Sequence, residues 1–350
     1  MNNTILSCNH QLVEILFADN KIPQKYLSQN SLDIFKSYQS GFRSTKFLID
    51  RSGNTPYYIN VDLQRYRIPQ IKQISLNFLQ IARQRAKDLL DLGKVVNVSW
   101  SGGLDSTFVL FILHEMASDK SQVQIYGTYS SILESGYFFE KYIRPKFKYN
   151  IHVNKQYKNN FITSKDEIFV TGSMGNNIFY QDLNYHEPDS WMYFKEDGFK
   201  PDLIKKFADT SYLEVLRECN LEFLQNSIQN SPRKIETLQD LRWWIQFAFN
   251  WHTTISNTSI EIGKDRSEKI YPFFGSDEFQ LWSILNKDTP SKIGDYSDER
   301  WQLREYIAEY TGDTFYAKYK TNQTSVLSSL NPNWLFLMSD YSNIYLEDLQ

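Results

Sequence analysis

The chain has 350 residues, 41% of them hydrophobic and 16% aromatic, and a formal net charge of −3. The length suggests roughly two domains with a real core, and the charge offers no basic excess for gripping a nucleic-acid backbone, so no nucleic-acid partner is expected. Two cysteines (Cys8 and Cys219) and five scattered histidines exclude a disulfide framework and argue against structural zinc. No apolar run reaches the ~18 residues of a membrane span, and MNNTILSCNHQ lacks the basic start and apolar run of a signal peptide. The expectation is a soluble, cytoplasmic protein with no membrane partner.

In chain order, residues 1–72 form a small N-terminal α+β domain of unknown role. Its clearest signal is TPYYINVDLQRYRIP, which alternates like a strand or hairpin and closes at Pro69. From Gln73 to Leu92, Ile74, Phe78, Ile81, Ala82, Ala86, Leu89 and Leu90 recur at helical spacing, with Gly93 as a stop. Val95 to Trp100 reads as a buried strand, and the apolar run from Thr107 to Met116 as a helix. Val123 to Tyr129 is a second strand. Glu134 to Ile143 is a helix ended by Pro145. Tyr149 to Val153 and Glu167 to Thr171 are the third and fourth strands. Strands alternating with helices imply a parallel sheet, so residues 95 to about 180 read as an α/β core. Thr237 to His252 is an aromatic helix, and Asp277 to Leu285 and Ser297 to Tyr310 are two more, making a mostly helical part over about 200–340. The pairs Trp243-Trp244 and Trp251-His252 read as core packing, and KYIRPKFK from Lys141 to Lys148 as a solvated basic face.

The chemistry concentrates in VVNVSWSGGLDST, Val95 to Thr107. Gly102 and Gly103 allow a tight turn and a close approach to a ligand. Ser99, Ser101 and Ser106 supply hydroxyls, and the first amides of the next helix, from Leu104 on, have no partner inside it. Together these make an anion site suited to a polyphosphate. There is no GxxxxGK[ST] lysine and no GxGxxG. Asp105 beside a phosphate calls for a cation such as Mg²⁺, although a helix cap is the plainer role for it.

Ser101-Gly102-Gly103-Leu104-Asp105-Ser106 resembles the SGGxDS motif of the ATP pyrophosphatases, the PP-loop superfamily. Its members cleave ATP between the α- and β-phosphates and hold the departing pyrophosphate in this loop. Three further stretches are similar to the synthetase domain of asparagine and β-lactam synthetases. VTGSMGNNIF resembles GEGxDELF, with Gly172 on the first glycine and Asn176 and Asn177 on the Asp-Glu pair. YPFFGSDEFQLW resembles PFLDRDLVEL, with Pro272, Phe273, Asp277 and Leu281 in register. LREYIAEYTGDTFYAKYKTNQTS resembles the terminal stretch, with Leu303 and Arg304 on its LR pair and Lys320 on the lysine that closes the active site.

The resemblance implies a parallel sheet of the adenine nucleotide alpha-hydrolase (HUP-like) type with helices on both faces, within a PP-loop domain over residues 73–350. It also implies ATP and Mg²⁺ as cofactors, Lys320 and Asp105 as catalytic groups, and Asp105 and Asn176 as metal ligands. The nucleotide would be held by Ser99, Ser101, Gly102, Gly103, Leu104, Asp105, Ser106 and Gly172. The activity implied is an ATP-dependent ligase that adenylates a small-molecule substrate, a carboxylate above all, and passes it to ammonia or an amine. Residue 2 is Asn2 where the glutamine-using members have a catalytic cysteine, so glutamine hydrolysis is not expected. Adenylation of a nucleobase, deazapurine or tRNA position stays open as an alternative, as does a degenerate nucleotide-binding protein, which Asn176 and Asn177 favour. A homodimer is left open.

Overall fold

A computed structural model describes residues 6–7, 47–48, 68–71, 73–152, 164–179, 228–235, 240, 243–244, 247–248, 269–286, 300–315 and 320. The chain divides into two compact units, one of residues 1–85 and 173–301, the other of residues 86–172 and 302–350.

The second unit carries four parallel strands, which establish an α/β fold. They are β1 (Val95–Trp100), β2 (Val123–Thr128), β3 (Lys148–His152) and β4 (Glu167–Thr171). Their spatial order is β3-β2-β1-β4, with Val98 of β1 opposite Ile125 of β2 and Val170 of β4. β1 is therefore interior. Val96, Val98 and Trp100 on one face are buried, as is Asn97 on the other, as expected for a parallel strand. From β1 the chain steps outward to β2 and β3, then returns to the opposite side of β1 as β4. Such a reversal opens a crevice at the carboxyl ends of β1 and β4, where α/β sheets bind ligands.

α2 (Leu104–Met116) follows β1 and is buried almost throughout, from Ser106 to Leu113. Its carbonyl end is capped by Lys120, whose Nζ donates to the carbonyls of His114, Glu115 and Ala117 at 2.6, 3.0 and 2.8 Å. The helix running to Thr311 packs on it: Phe111 stacks on Tyr310 at 4.5 Å, Phe108 meets Tyr306 edge-on at 5.1 Å, and Tyr306 donates to Glu115.

The first unit is an aromatic core. α1 (Phe78–Leu90) opens there on a reciprocal cap, in which the Asn77 amide donates to Gln80 Oε1 and the Gln80 amide to Asn77 Oδ1, at 2.9 and 3.0 Å. That pair sets the start at Phe78 rather than at Gln73. Phe78 then packs on Phe179, Phe279 and Trp282 at 5.0–5.4 Å. α4 (Gly175–Ile178) and α5 (Asp277–Leu285) are tied together by Ser283, whose hydroxyl donates to the Ile178 carbonyl at 2.6 Å and accepts from Trp243 Nε1 at 2.8 Å. Trp243 and Trp244 are fully buried, so the core reading of that pair holds. Trp251, His252, both cysteines and the hairpin expected before Pro69 lie outside the described residues.

The segment after β2 departs from expectation. Glu134 was expected to open a helix running to Ile143. It closes one instead: α3 (Tyr129–Glu134) starts directly from β2 on a capping box between Thr128 and Ser131. Gly136–Phe138 and a π-turn over Phe139–Ile143 follow. The break lies at Ser135, where φ is −151° and ψ 51°, and the chain is helical again from Gly136 to Ile143 as expected, ending in a wide π-turn. The basic run beyond is a surface. Arg144 pairs with Glu140 at 2.9 Å, and Lys141 and Lys146 lie over the rings of Tyr142 and Tyr310.

Candidate functional site at the end of the central strand

The turn from β1 into α2 is held in shape by its own hydroxyls. Ser106 Oγ donates to the Gly103 carbonyl at 3.1 Å and accepts the Ser101 amide at 3.1 Å. With its proton committed there, its 2.9 Å contact to Ser101 Oγ is one in which Ser101 donates. Ser101 Oγ in turn receives the Gly103 amide at 3.3 Å. Thr107 donates to the same Gly103 carbonyl at 2.8 Å and is itself fixed by Trp100 Nε1 at 3.0 Å. The hydroxyls of Ser101, Ser106 and Thr107 thus hold the backbone of the loop from within.

The two glycines differ. Gly102 has φ +78°, and a Cβ on it would lie 2.3 Å from the Ser131 carbonyl oxygen and 2.8 Å from Glu134 Cβ. Its carbonyl accepts Ser135 Oγ at 2.8 Å. Gly102 therefore needs both a left-handed backbone and the absence of a side chain. Gly103 has an ordinary φ of −80°, and among the described residues a Cβ there would meet only Ser101 Oγ, at 3.2 Å. The tight turn belongs to Gly102, and Gly103 borders open space.

Gly103 is also the residue before α2, and no side chain caps the helix. Asp105 stands one position inside the first turn, so the plainer role of helix cap does not describe it. It is half-buried, and its charge is favourable at a helix start. The side chain of Leu104 is buried, which leaves only its backbone amide for the loop. Ser99 lies on β1 opposite Tyr126 and Thr171, one residue short of the strand end. Gly172 follows β4, and a Cβ on it would sit 2.7 Å from the Ser106 amide nitrogen. The missing side chain lets the chain after β4 pack directly on the backbone of Asp105 and Ser106 at the start of α2. Next to it, Thr171 Oγ1 is buried and meets no hydrogen-bond partner among the described residues.

Lys320 comes to the same unit from 186 residues beyond Glu134. Its Nζ donates to the Glu134 carbonyl at 3.1 Å and pairs with the Glu134 carboxylate. Arg304, also buried, donates to the Lys320 carbonyl at 2.9 Å. Burial lowers the pKa of Lys320, the Glu134 carboxylate opposes that shift, and Arg304 adds to it. Sequence reasoning missed Glu134, Ser135 and Thr171. Ser135 had no signal of its own. Glu134 could have been suspected only as a carboxylate between two apolar segments.

Asn176 and Asn177 lie on α4, in the first unit, and Asn177 is buried. The residue before that helix, Met174, has φ +74°. Among the described residues no group of three or more His, Cys, Asp or Glu side chains is placed to hold a metal ion, and no helix is long and apolar enough to cross a membrane. Comparison with protein-family models, with characterised proteins and with solved structures finds nothing that matches this chain.

Proposed function

We propose that the chain is an ATP pyrophosphatase-type amide ligase, with the HUP-like sheet that this class uses. A substrate carboxylate attacks the α-phosphate of ATP, pyrophosphate leaves, and ammonia or an amine then displaces AMP from the acyl-adenylate to give an amide. The observation that carries the reading is the SGGLDS turn, held by its own hydroxyls, at the carboxyl end of the interior strand. It sits at the sheet reversal, with Gly172 after β4 packed against the backbone of Asp105 and Ser106. The amides at the start of α2 and the open face of Gly103 would receive the pyrophosphate. Lys320 would add positive charge as the α–β bond breaks.

Two further features support the alignment with the synthetases. In VTGSMGNNIF the second glycine of the GEGxDELF pattern falls on Met174, the one non-glycine residue with positive φ among those described. Glycine is the residue such a backbone favours. Asp105 offers a hard oxygen donor beside the phosphate site, which fits Mg²⁺. Mg²⁺ would neutralise charge on the departing pyrophosphate. A cytoplasmic setting suits ATP as the substrate.

A nucleotide-binding protein without turnover is the second reading, favoured by neutral Asn176 and Asn177 at the acidic positions of the pattern. Incubation with ATP, Mg²⁺, ammonia and pooled carboxylic acids separates the two. AMP with pyrophosphate is the expected product. ADP would contradict the ligase, and binding without turnover would move the second reading to first place. Asp105→Ala is expected to abolish AMP formation and to make ATP affinity insensitive to Mg²⁺. Unchanged turnover would remove the metal role.

A further inference from the structure

Glu134 belongs to no motif, yet it is the side chain that joins Lys320 to the loop. Its Cβ and Cγ pack where a Gly102 side chain would be, at 2.8 and 3.0 Å from that position. Its carboxylate pairs with Lys320 Nζ, and the two side chains are only 4% and 7% exposed. The lysine is fixed at its other end by Arg304 on its carbonyl. We propose that Glu134 is the positioning residue for Lys320, holding its ammonium in the charged form on the flank of Gly102, where a pyrophosphate in the loop would meet it. The inference rests on the reading of the loop as a pyrophosphate site.

The physical reason is the cost of a lone buried cation. Burial disfavours the charged amine, and Arg304, the other charged group facing it, disfavours it further. Among the described residues, Glu134 acts the other way. Without that carboxylate the buried lysine gives up its proton more readily. A neutral amine would keep its place but lose its attraction for phosphate. A salt bridge that served stability alone would make no such link between Glu134 and the pH dependence of anion binding.

The test uses the full chain, Glu134→Gln, which keeps the shape against Gly102, and Glu134→Asp, which keeps the charge. Inorganic pyrophosphate with Mg²⁺ is titrated by calorimetry from about pH 6 to about pH 9. In parallel, the reactivity of Lys320 with acetic anhydride is followed against pH by mass spectrometry. Glu134→Gln is expected to lower the labelling midpoint of Lys320 by about one unit or more and to lose roughly tenfold in pyrophosphate affinity across the range. The wild type should hold its affinity, and Glu134→Asp should fall between. The same midpoint and the same pH profile in Glu134→Gln and wild type would overturn the proposal. If Glu134→Gln does not fold, an unchanged midpoint in folded Glu134→Asp overturns it equally. A wild type that binds no pyrophosphate at any pH overturns it through the loop reading instead, and the labelling shift then shows that the Glu134–Lys320 link was not the part that failed.

Discussion

Two turns in this chain make the same backbone demand and meet it differently. Gly102, after β1, has φ +78°, and Met174, after β4, has φ +74°. Each stands shortly before a helix. At Gly102 no side chain could exist, because Ser131 and Glu134 occupy its place. At Met174 the side chain exists and is buried at 4% exposure, with its sulfur 3.4 Å from where a Gly275 Cβ would lie. A left-handed methionine costs roughly 1–2 kcal/mol, whereas truncating a buried methionine typically costs about 2–5 kcal/mol. Packing therefore outweighs strain at Met174, while at Gly102 packing and strain point the same way. The loop glycine is a requirement of space as much as of φ, and positive φ alone does not specify glycine.

The strongest way to break that comparison is Gly102→Ala. It adds a methyl group against a carbonyl oxygen and forces an L-residue into the left-handed region, so about 3 kcal/mol or more of stability should be lost, with nucleotide binding. Gly103→Ala, at ordinary φ, should cost less than about 1 kcal/mol and yet weaken pyrophosphate binding, because it fills the open side of the loop. Chemical denaturation with calorimetric titration reads both. Equal effects on stability at the two glycines would show that the turn can relax.

Lys320→Ala is expected next in size. It removes the cation paired with the buried Glu134 carboxylate, and breaking a buried pair typically costs about 3–5 kcal/mol. In a ligase it should also cost roughly 10²–10³ in kcat. Pairing it with Glu134→Gln should restore much of the stability and none of the rate. Single-turnover AMP formation from labelled ATP is the measurement, and a wild-type rate in Lys320→Ala would undo the match of the C-terminal stretch to the synthetases.

Met174→Gly tests the other turn. Strain relief and lost burial should leave a net destabilisation of about 1–3 kcal/mol. Stabilisation would show that strain, not packing, decides that position. The smallest effect is one of pH. His114 Nδ1 lies 2.7 Å from the Tyr310 hydroxyl, and its pKa is lowered to about 4 by burial first and then by Lys120 and Lys146. The unfolded chain takes up a proton near pH 6.5 that the folded chain refuses until about 4. Stability from this group is whole above about pH 6.5 and drains as pH falls through about 4. Denaturation midpoints of wild type and His114→Gln should converge over that window, and parallel slopes would count against it.

Much of the second unit was legible in the sequence, because its signals are local. Apolar runs set β1, β2, β3 and β4 to within a residue of their ends, and SGGLDS marked the turn. The first unit was less so, and the Asn77–Gln80 cap, which fixes the start of α1, went unread although both residues sit in one short window. The helix expected from Glu134 starts instead at Gly136, because the backbone leaves the helical region at Ser135 and Glu134 closes the helix before it.

The sequence alone marked a glycine turn with the residue types of an anion site, since those types fall at short spacing, and only the resemblance to the synthetases pointed to Lys320. The chain's return across the sheet brings β4 beside β1 and sets Gly172 against the Ser106 amide. The ion pair of Lys320 with Glu134, across 186 residues, was likewise decided only by the tertiary structure. The reason is physical: periodicity and capping act within a few turns of chain. Which buried charge meets which partner depends on the order of strands in space, and no local pattern of residues encodes that order.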